Sequence, residues 1–220
     1  MAIQSQRAAL GQICRRQVGS SRGWHVRRCS GRPVLMENDA EVFGLILAGG
    51  KSRRFGRDKA SEDVLGETSL ARVRAAMEAV LETLVVGEGG ISDLEPGGGP
   101  LQAILAGWRA RPRSQVVVVA CDMPFIEVDV IRRLAAPLVG EARVPLIGGR
   151  RQWLGAGYGR RAIARLEAAW EAGERSIERA MMGAVLEDLE VSEEALLDFD
   201  TEADLEALKA LRGGPSPRRR

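Results

Sequence analysis

Histidine is nearly missing from this chain: among 220 residues there is one, His25. It lies in the arginine-rich, acid-free arm of residues 1–36, which argues against a histidine general base. Cysteine is also sparse. Cys14, Cys29 and Cys121 form an odd set without metal-ligand spacing, which argues against a structural zinc site and for a reducing compartment. Long apolar runs are absent: the longest, Val116–Cys121, has six residues, where a membrane span needs about eighteen. Acidic residues are missing from both ends. Residues 1–36 hold seven arginines and no Asp or Glu, and residues 211–220 hold four arginines and no acid. The middle, 37–210, therefore carries 21 basic against 30 acidic residues, a net of −9. A body of that sign lacks the concentrated positive face that tracks a nucleic-acid backbone.

Residues 1–36 contain no apolar h-region, so they do not read as a secretory signal, and the expected location is cytoplasmic. Three readings stand: a start at Met36, just before the first strand, a disordered basic arm, or an organellar transit peptide. Residues 212–220 read as a basic, frayed tail. Between them, 37–211 has the length and the 45% apolar composition of one globular domain.

The pattern of that domain alternates strand and helix. Val42–Ala48 is an apolar run bounded by glycine, and Gln115–Cys121 is the most hydrophobic strand. Helical spacing of Leu70, Val73, Met77, Val80 and Leu81 predicts an amphipathic helix over 69–81. Thr83–Val86 is a short strand, 87–99 a loop rich in glycine, and 100–109 a helix with proline in its first turn. Helices are expected over 129–138, 159–170, 176–181 and 201–211, with Ser176 capping the third. Strands are expected over 143–147, 152–158 and 184–189, the first two able to pair across Gly148-Gly149. Thr201 and Asp204 have the spacing of a capping box. This rhythm gives an open, mostly parallel sheet with helices on its faces.

The chemistry concentrates after the first strand. From Leu47 to Lys59, four of thirteen residues are glycine or alanine and five are Lys or Arg. Glycines let backbone N–H groups approach phosphate oxygens, and the cations Lys51, Arg53 or Arg54, and Lys59 offset their charge. The P-loop pattern fails, because the position that needs its first glycine is Leu45; the G-x-G-x-x-G dinucleotide pattern fails after Gly49. A polyphosphate cradle of another kind remains, against the plainer reading of a solvated basic turn.

Asp122 follows the most hydrophobic strand directly, so it sits at the carboxyl edge where open α/β sheets carry their sites. Facing a triphosphate, its carboxylate suits Mg²⁺; alone, it could cap the turn before Pro124. Asp200 is a further candidate for the metal, or a neighbour of a helix cap. Asp93, in the glycine-rich loop, could accept hydrogen bonds from a base or ribose. Cys121 reads as a small core residue. Trp153 and Tyr158, in the second half, offer ring surface for a fused heterocycle.

Three segments, Leu47-Ala-Gly-Gly-Lys-Ser-Arg-Arg-Phe-Gly-Arg-Asp-Lys59, Gly99-Pro-Leu101 and Cys121-Asp-Met-Pro124, together resemble the molybdenum cofactor guanylyltransferases, bacterial enzymes that join GMP to molybdopterin. Asp198-Phe-Asp200-Thr-Glu-Ala-Asp204-Leu205 is similar to that family's Asn-x-Asn-Thr-Pro-Glu-Asp-Leu ending. The resemblance implies a three-layer α/β sandwich with a Rossmann-like nucleotidyltransferase fold. It implies GTP and molybdopterin as substrates, Mg²⁺ as cofactor, release of pyrophosphate, and transient docking with molybdoenzyme chaperones. By position it implies nucleotide contacts at Leu47, Ala48, Gly49 and Asp93, Lys59 on the phosphates and Mg²⁺ at Asp122; the reading of the residues themselves adds Gly50 to the nucleotide cradle, Lys51 and Arg54 to Lys59 in catalysis by charge, and Asp200 to the metal. Departures are Gly87 where the family often has asparagine, Asp198 and Asp200 for its asparagines, and Glu202 for its proline. The alternatives are a cytidylyltransferase or another nucleotidyltransferase with a different phosphate acceptor, or a degenerate homologue that binds nucleotide without turnover.

Overall fold

The computed structural model describes residues 26–29, 32–35, 42–49, 58–87, 90–92 and 98–213. The chain divides into two units, Met1–Asn38 and Asp39–Arg220. In the first, β1 (Val26–Cys29) and β2 (Arg32–Leu35) pair antiparallel, Val26 opposite Leu35 and Cys29 opposite Arg32.

The second unit is built on β3 (Val42–Ala48) and β7 (Gln115–Ala120), which run parallel with Phe43 opposite Val116 and Leu47 opposite Ala120. Both faces of these strands are covered, which is why their sequences are almost continuously apolar. Phe43, Leu45, Leu47, Val116 and Val118 enter one core, and Ile46, Ala48, Val117 and Val119 enter the other. The period of two distributes each strand between two helical layers.

On the first face lie α2 (Gly99–Ala110), α4 (Arg160–Glu171) and the short α5 (Ile177–Ala180). Leu101 through Trp108 of α2 are all buried, so this helix is apolar nearly all round. On the other face lie α1 (Ser69–Glu78), which buries Val73 and Met77, and α3 (Val128–Ala135), which buries Val130, Ile131 and Leu134. Thr68 caps α1 by accepting the Ala71 N–H, and Ser176 caps α5 by accepting the Arg179 N–H. A third, small core joins Phe199, Leu205 and Leu208, from α6 (Glu202–Gly213) and its approach, to Val64. Val64 belongs to a minor hairpin of β4 (Asp63–Val64) and β5 (Glu67–Thr68).

The full sheet also contains β6 (Thr83–Gly87), β8 (Ala142–Ile147), β9 (Arg150–Arg151), β10 (Gly155–Gly159) and β11 (Leu186–Glu190). Its order is β11-β8-β10-β7-β3-β6, with β9 beside β8. The expected α/β sandwich is present, but the sheet is mixed rather than mostly parallel. Gly148 and Gly149, at φ +55° and +79°, turn the chain back on itself. As a result β9 pairs antiparallel with β8, and β10 enters the sheet antiparallel to both β8 and β7. The helix expected to reach residue 138 stops at Ala135. Ala136 is extended because Pro137 follows it, and a residue before proline is excluded from the helical region.

Candidate active site

The carboxyl ends of β3 and β7 are tied together where they leave the sheet: the Cys121 N–H donates to the Leu47 carbonyl at 3.0 Å. That bond puts Asp122 one residue beyond the edge. A second tie comes from α1. The hydroxyl of Ser69, fully buried, donates to the Cys121 carbonyl at 2.6 Å, so the turn bearing Asp122 is held from two sides.

Lys59 meets Asp122 there. Asp58 caps a single 3₁₀ turn, Lys59–Ser61, by accepting the Ala60 N–H at 3.1 Å, which fixes the backbone of Lys59. The Lys59 ammonium donates to Asp122 Oδ2 at 3.0 Å and to Asp200 Oδ1 at 2.7 Å. It also lies 5.6 Å from the centroid of the Phe199 ring. Residues separated by 63 and 141 positions thus converge on one ammonium. Burial by itself would lower the Lys59 pKa, but the hydrogen bond to Asp200 and the charge of Asp122 outweigh it, and the group is held above its ordinary value.

Asp200 is carried by the start of α6. There the expected capping box forms: the Asp204 N–H donates to Thr201 Oγ1 at 3.2 Å, and the Thr201 N–H donates to Asp204 Oδ2 at 2.7 Å. The Asp200 N–H joins it, donating to Asp204 Oδ2 at 3.1 Å. Asp198 stands beside this group. The residue is exposed, yet crowding by neighbouring protein and then the charges of Asp122 and Asp200 push its carboxyl above the usual carboxylate range.

The predicted site positions fall into three classes. Lys59, Asp122 and Asp200 are brought together. Leu47 and Ala48 are buried in the two cores, so any ligand contact there would be made by backbone; Gly49, next in line, is exposed. Gly50, Lys51, Arg54 and Asp93 lie outside the described residues. The cysteine reading holds: Cys121 is buried, and burial, then the Asp122 charge, push its thiol up to about 12. Tyr158 does not offer ring surface. It is fully buried, and its hydroxyl donates to the Trp153 carbonyl at 2.5 Å. Trp153 itself lines a cavity of about 430 Å³ with Arg151, Glu178, Met181 and Met182.

Gly87 has a steric cause in this backbone. Its φ is +108°, and a Cβ there would collide with the Gly49 amide nitrogen and come within 2.6 Å of the Ala48 carbonyl carbon. The end of β6 thereby packs backbone to backbone against the start of the glycine turn.

Sequence reasoning missed Ser69 and Phe199 as parts of this site, and named Asp198 only as a departure from the family's asparagine. Ser69 looked like a helix start and Phe199 like an ordinary apolar residue. The alternation Asp198-Phe199-Asp200 was the available signal, since a period of two puts both carboxylates on one side of an extended segment and the ring on the other.

Two carboxylates sharing one cation are a chemically sound start for a hard divalent ion, which uses one or two protein carboxylates and completes its shell with substrate phosphate and water. Among the described residues, no group of three or more His, Cys, Asp or Glu side chains is placed to hold a metal by itself. No helix among them is long and apolar enough to cross a membrane.

Residues 44–185 match the MobA-like NTP transferase domain. The molybdenum cofactor guanylyltransferase of Pseudomonas putida KT2440 is 33% identical, over 68% of this chain and 86% of that protein. The molybdenum cofactor guanylyltransferase of Rhodobacter capsulatus is 32% identical, over 74% of this chain and 93% of its own length. Among solved structures, molybdopterin-guanine dinucleotide biosynthesis protein A from Archaeoglobus fulgidus shares the fold with a TM-score of 0.67, at 23% identity over 76% of this chain and 97% of that one. The matched domain and the extent of these relatives establish that this chain belongs to the molybdenum cofactor guanylyltransferase family.

Proposed function

We propose that the chain transfers GMP from GTP to molybdopterin, forming the guanine dinucleotide cofactor and releasing pyrophosphate. The observation that carries this reading is Lys59 held on Asp122 at the carboxyl edge of β3 and β7, directly beside the start of the glycine turn. Both curated relatives described above are named as guanylyltransferases.

In this reading the backbone N–H groups from Gly49 onward, with Lys51 and Arg54, cradle the triphosphate, and Asp93 contacts the nucleoside. A terminal phosphate oxygen of molybdopterin attacks the α-phosphorus in line; a new P–O bond forms as the bond to the bridging oxygen of pyrophosphate breaks. The attacking phosphate is already ionised near neutral pH, so no general base is required. That agrees with a site whose described side chains are carboxylates and an ammonium. Catalysis is then alignment and offsetting of charge by Lys51, Arg54 and Lys59. Asp122 and Asp200 would hold Mg²⁺, which when bound neutralises phosphate charge and orients the oxygens.

The test follows label from α-³²P-GTP or α-³²P-CTP into molybdopterin generated in situ. The reading expects acceptor-dependent transfer from GTP, with CTP used poorly. Preferential transfer from CTP would move the chain to cytidylyl chemistry, and pyrophosphate release without labelled acceptor would reject molybdopterin.

A further inference from the structure

Lys59 is unusually placed for a residue whose charge is to meet a phosphate. Two of its three ammonium N–H groups are taken by Asp122 and Asp200, and its side chain is only 12% exposed. An ammonium 3.0 and 2.7 Å from two carboxylate oxygens lies where a divalent cation ligated by those same oxygens would lie. Both cannot sit there, because like charges at that separation repel strongly in a partly buried site.

The geometry points to an exchange, and it rests on the reading of Asp122 and Asp200 as cation ligands. We propose that Lys59 is the resident counterion of the Asp122–Asp200 pair, and that divalent-cation entry displaces its ammonium onto the incoming polyphosphate. The move belongs to the side chain alone, since Asp58 and the 3₁₀ turn fix the backbone. The displaced ammonium stays within reach of the Phe199 ring, where an oxygen of the incoming polyphosphate can accept from it. Lys59 is therefore a positioning device as well as a charge. Cation and nucleotide favour each other's binding, and by linkage the favour is reciprocal.

The experiment uses the full chain with Mn²⁺ as the probe, free Mn²⁺ being read by electron paramagnetic resonance for wild type and Lys59→Gln. Without nucleotide, Lys59→Gln is expected to bind Mn²⁺ about tenfold more tightly, because the competing ammonium is gone. In wild type, labelling of Lys59 by an amine-specific reagent, mapped by mass spectrometry, is expected to rise severalfold when Mn²⁺ is added. This second arm needs no variant, so a folding defect in Lys59→Gln cannot mask the answer. Equal or weaker Mn²⁺ binding by a folded Lys59→Gln, or Lys59 labelling unchanged at saturating Mn²⁺, overturns the exchange. If neither protein binds Mn²⁺ even with GTP, the assignment of the carboxylates as cation ligands falls first.

Discussion

Lys59, Asp122 and Cys121 show how one neighbourhood sets opposite chemistries on adjacent residues. The same Asp122 charge that holds the Lys59 ammonium on also discourages the Cys121 thiolate, whose thiol burial has already raised to about 12. A thiol raised in the fold contributes stability that is present below its ordinary value of 9.0 and lost as pH climbs towards about 12. Stability measured by urea unfolding is therefore expected to fall from pH 9 upward, and Cys121→Ala should flatten part of that decline. A slope identical in the variant would place the alkaline loss elsewhere. Ser69 gives a sharper residue-scale expectation. Replacing it by alanine leaves the buried Cys121 carbonyl without its hydroxyl partner, at a cost of about 1–3 kcal/mol. It should also lower kcat, because Asp122 loses one of its two supports. Lys59 and Asp122 were legible in the sequence because charge beside glycine, and an acid ending an apolar strand, are local patterns. Ser69 was not, because its partner lies 52 positions away and nothing local distinguishes it from any serine that opens a helix.

Elements were legible where period and composition decide them, as in β3, β7 and α2. They were not where direction depends on pairing. The strand Gly155–Gly159 reads as a short apolar segment whichever way it runs; its antiparallel insertion follows from the turn at Gly148-Gly149 and from its fit between β7 and β8. The end of α3 could have been placed, since Pro137 was in view. Two elements bear on function without touching the reaction. The end of β6 abuts the glycine turn through Gly87, so Gly87→Ala should lose more than about 1 kcal/mol of stability from its positive φ. It should also weaken GTP binding by calorimetry, because the Gly49 backbone must shift to admit the methyl group. At the other side, α6 positions Asp200 through its small core with Val64 and Phe199. Truncating the buried Leu208 to alanine is expected to cost about 2–5 kcal/mol. If α6 serves mainly to carry Asp200, activity in that variant should fall at temperatures well below the global melt. Loss of activity only at the melt would make α6 a purely structural cover.

At the scale of the molecule, the chain divides into two units, Met1–Asn38 and Asp39–Arg220. Arginine is denser in residues 1–36 and 211–220 than in the acidic stretch 37–210 between them. Residues 39–220 are expected to fold and turn over GTP by themselves; a fragment that folds but is inactive would assign the N-terminal unit a part in the site. What composition could not supply was the meeting of three distant segments. That is a product of topology: parallel β3 and β7 end at one edge, and α6 returns the chain to it. The claim that this meeting is the catalytic centre is tested most directly by pyrophosphate release from GTP in the presence of Mg²⁺ and molybdopterin, comparing wild type with Asp122→Asn. With both proteins shown to be folded by circular dichroism, the account expects the variant to be slower by roughly 10²–10³-fold. Equal rates would contradict it.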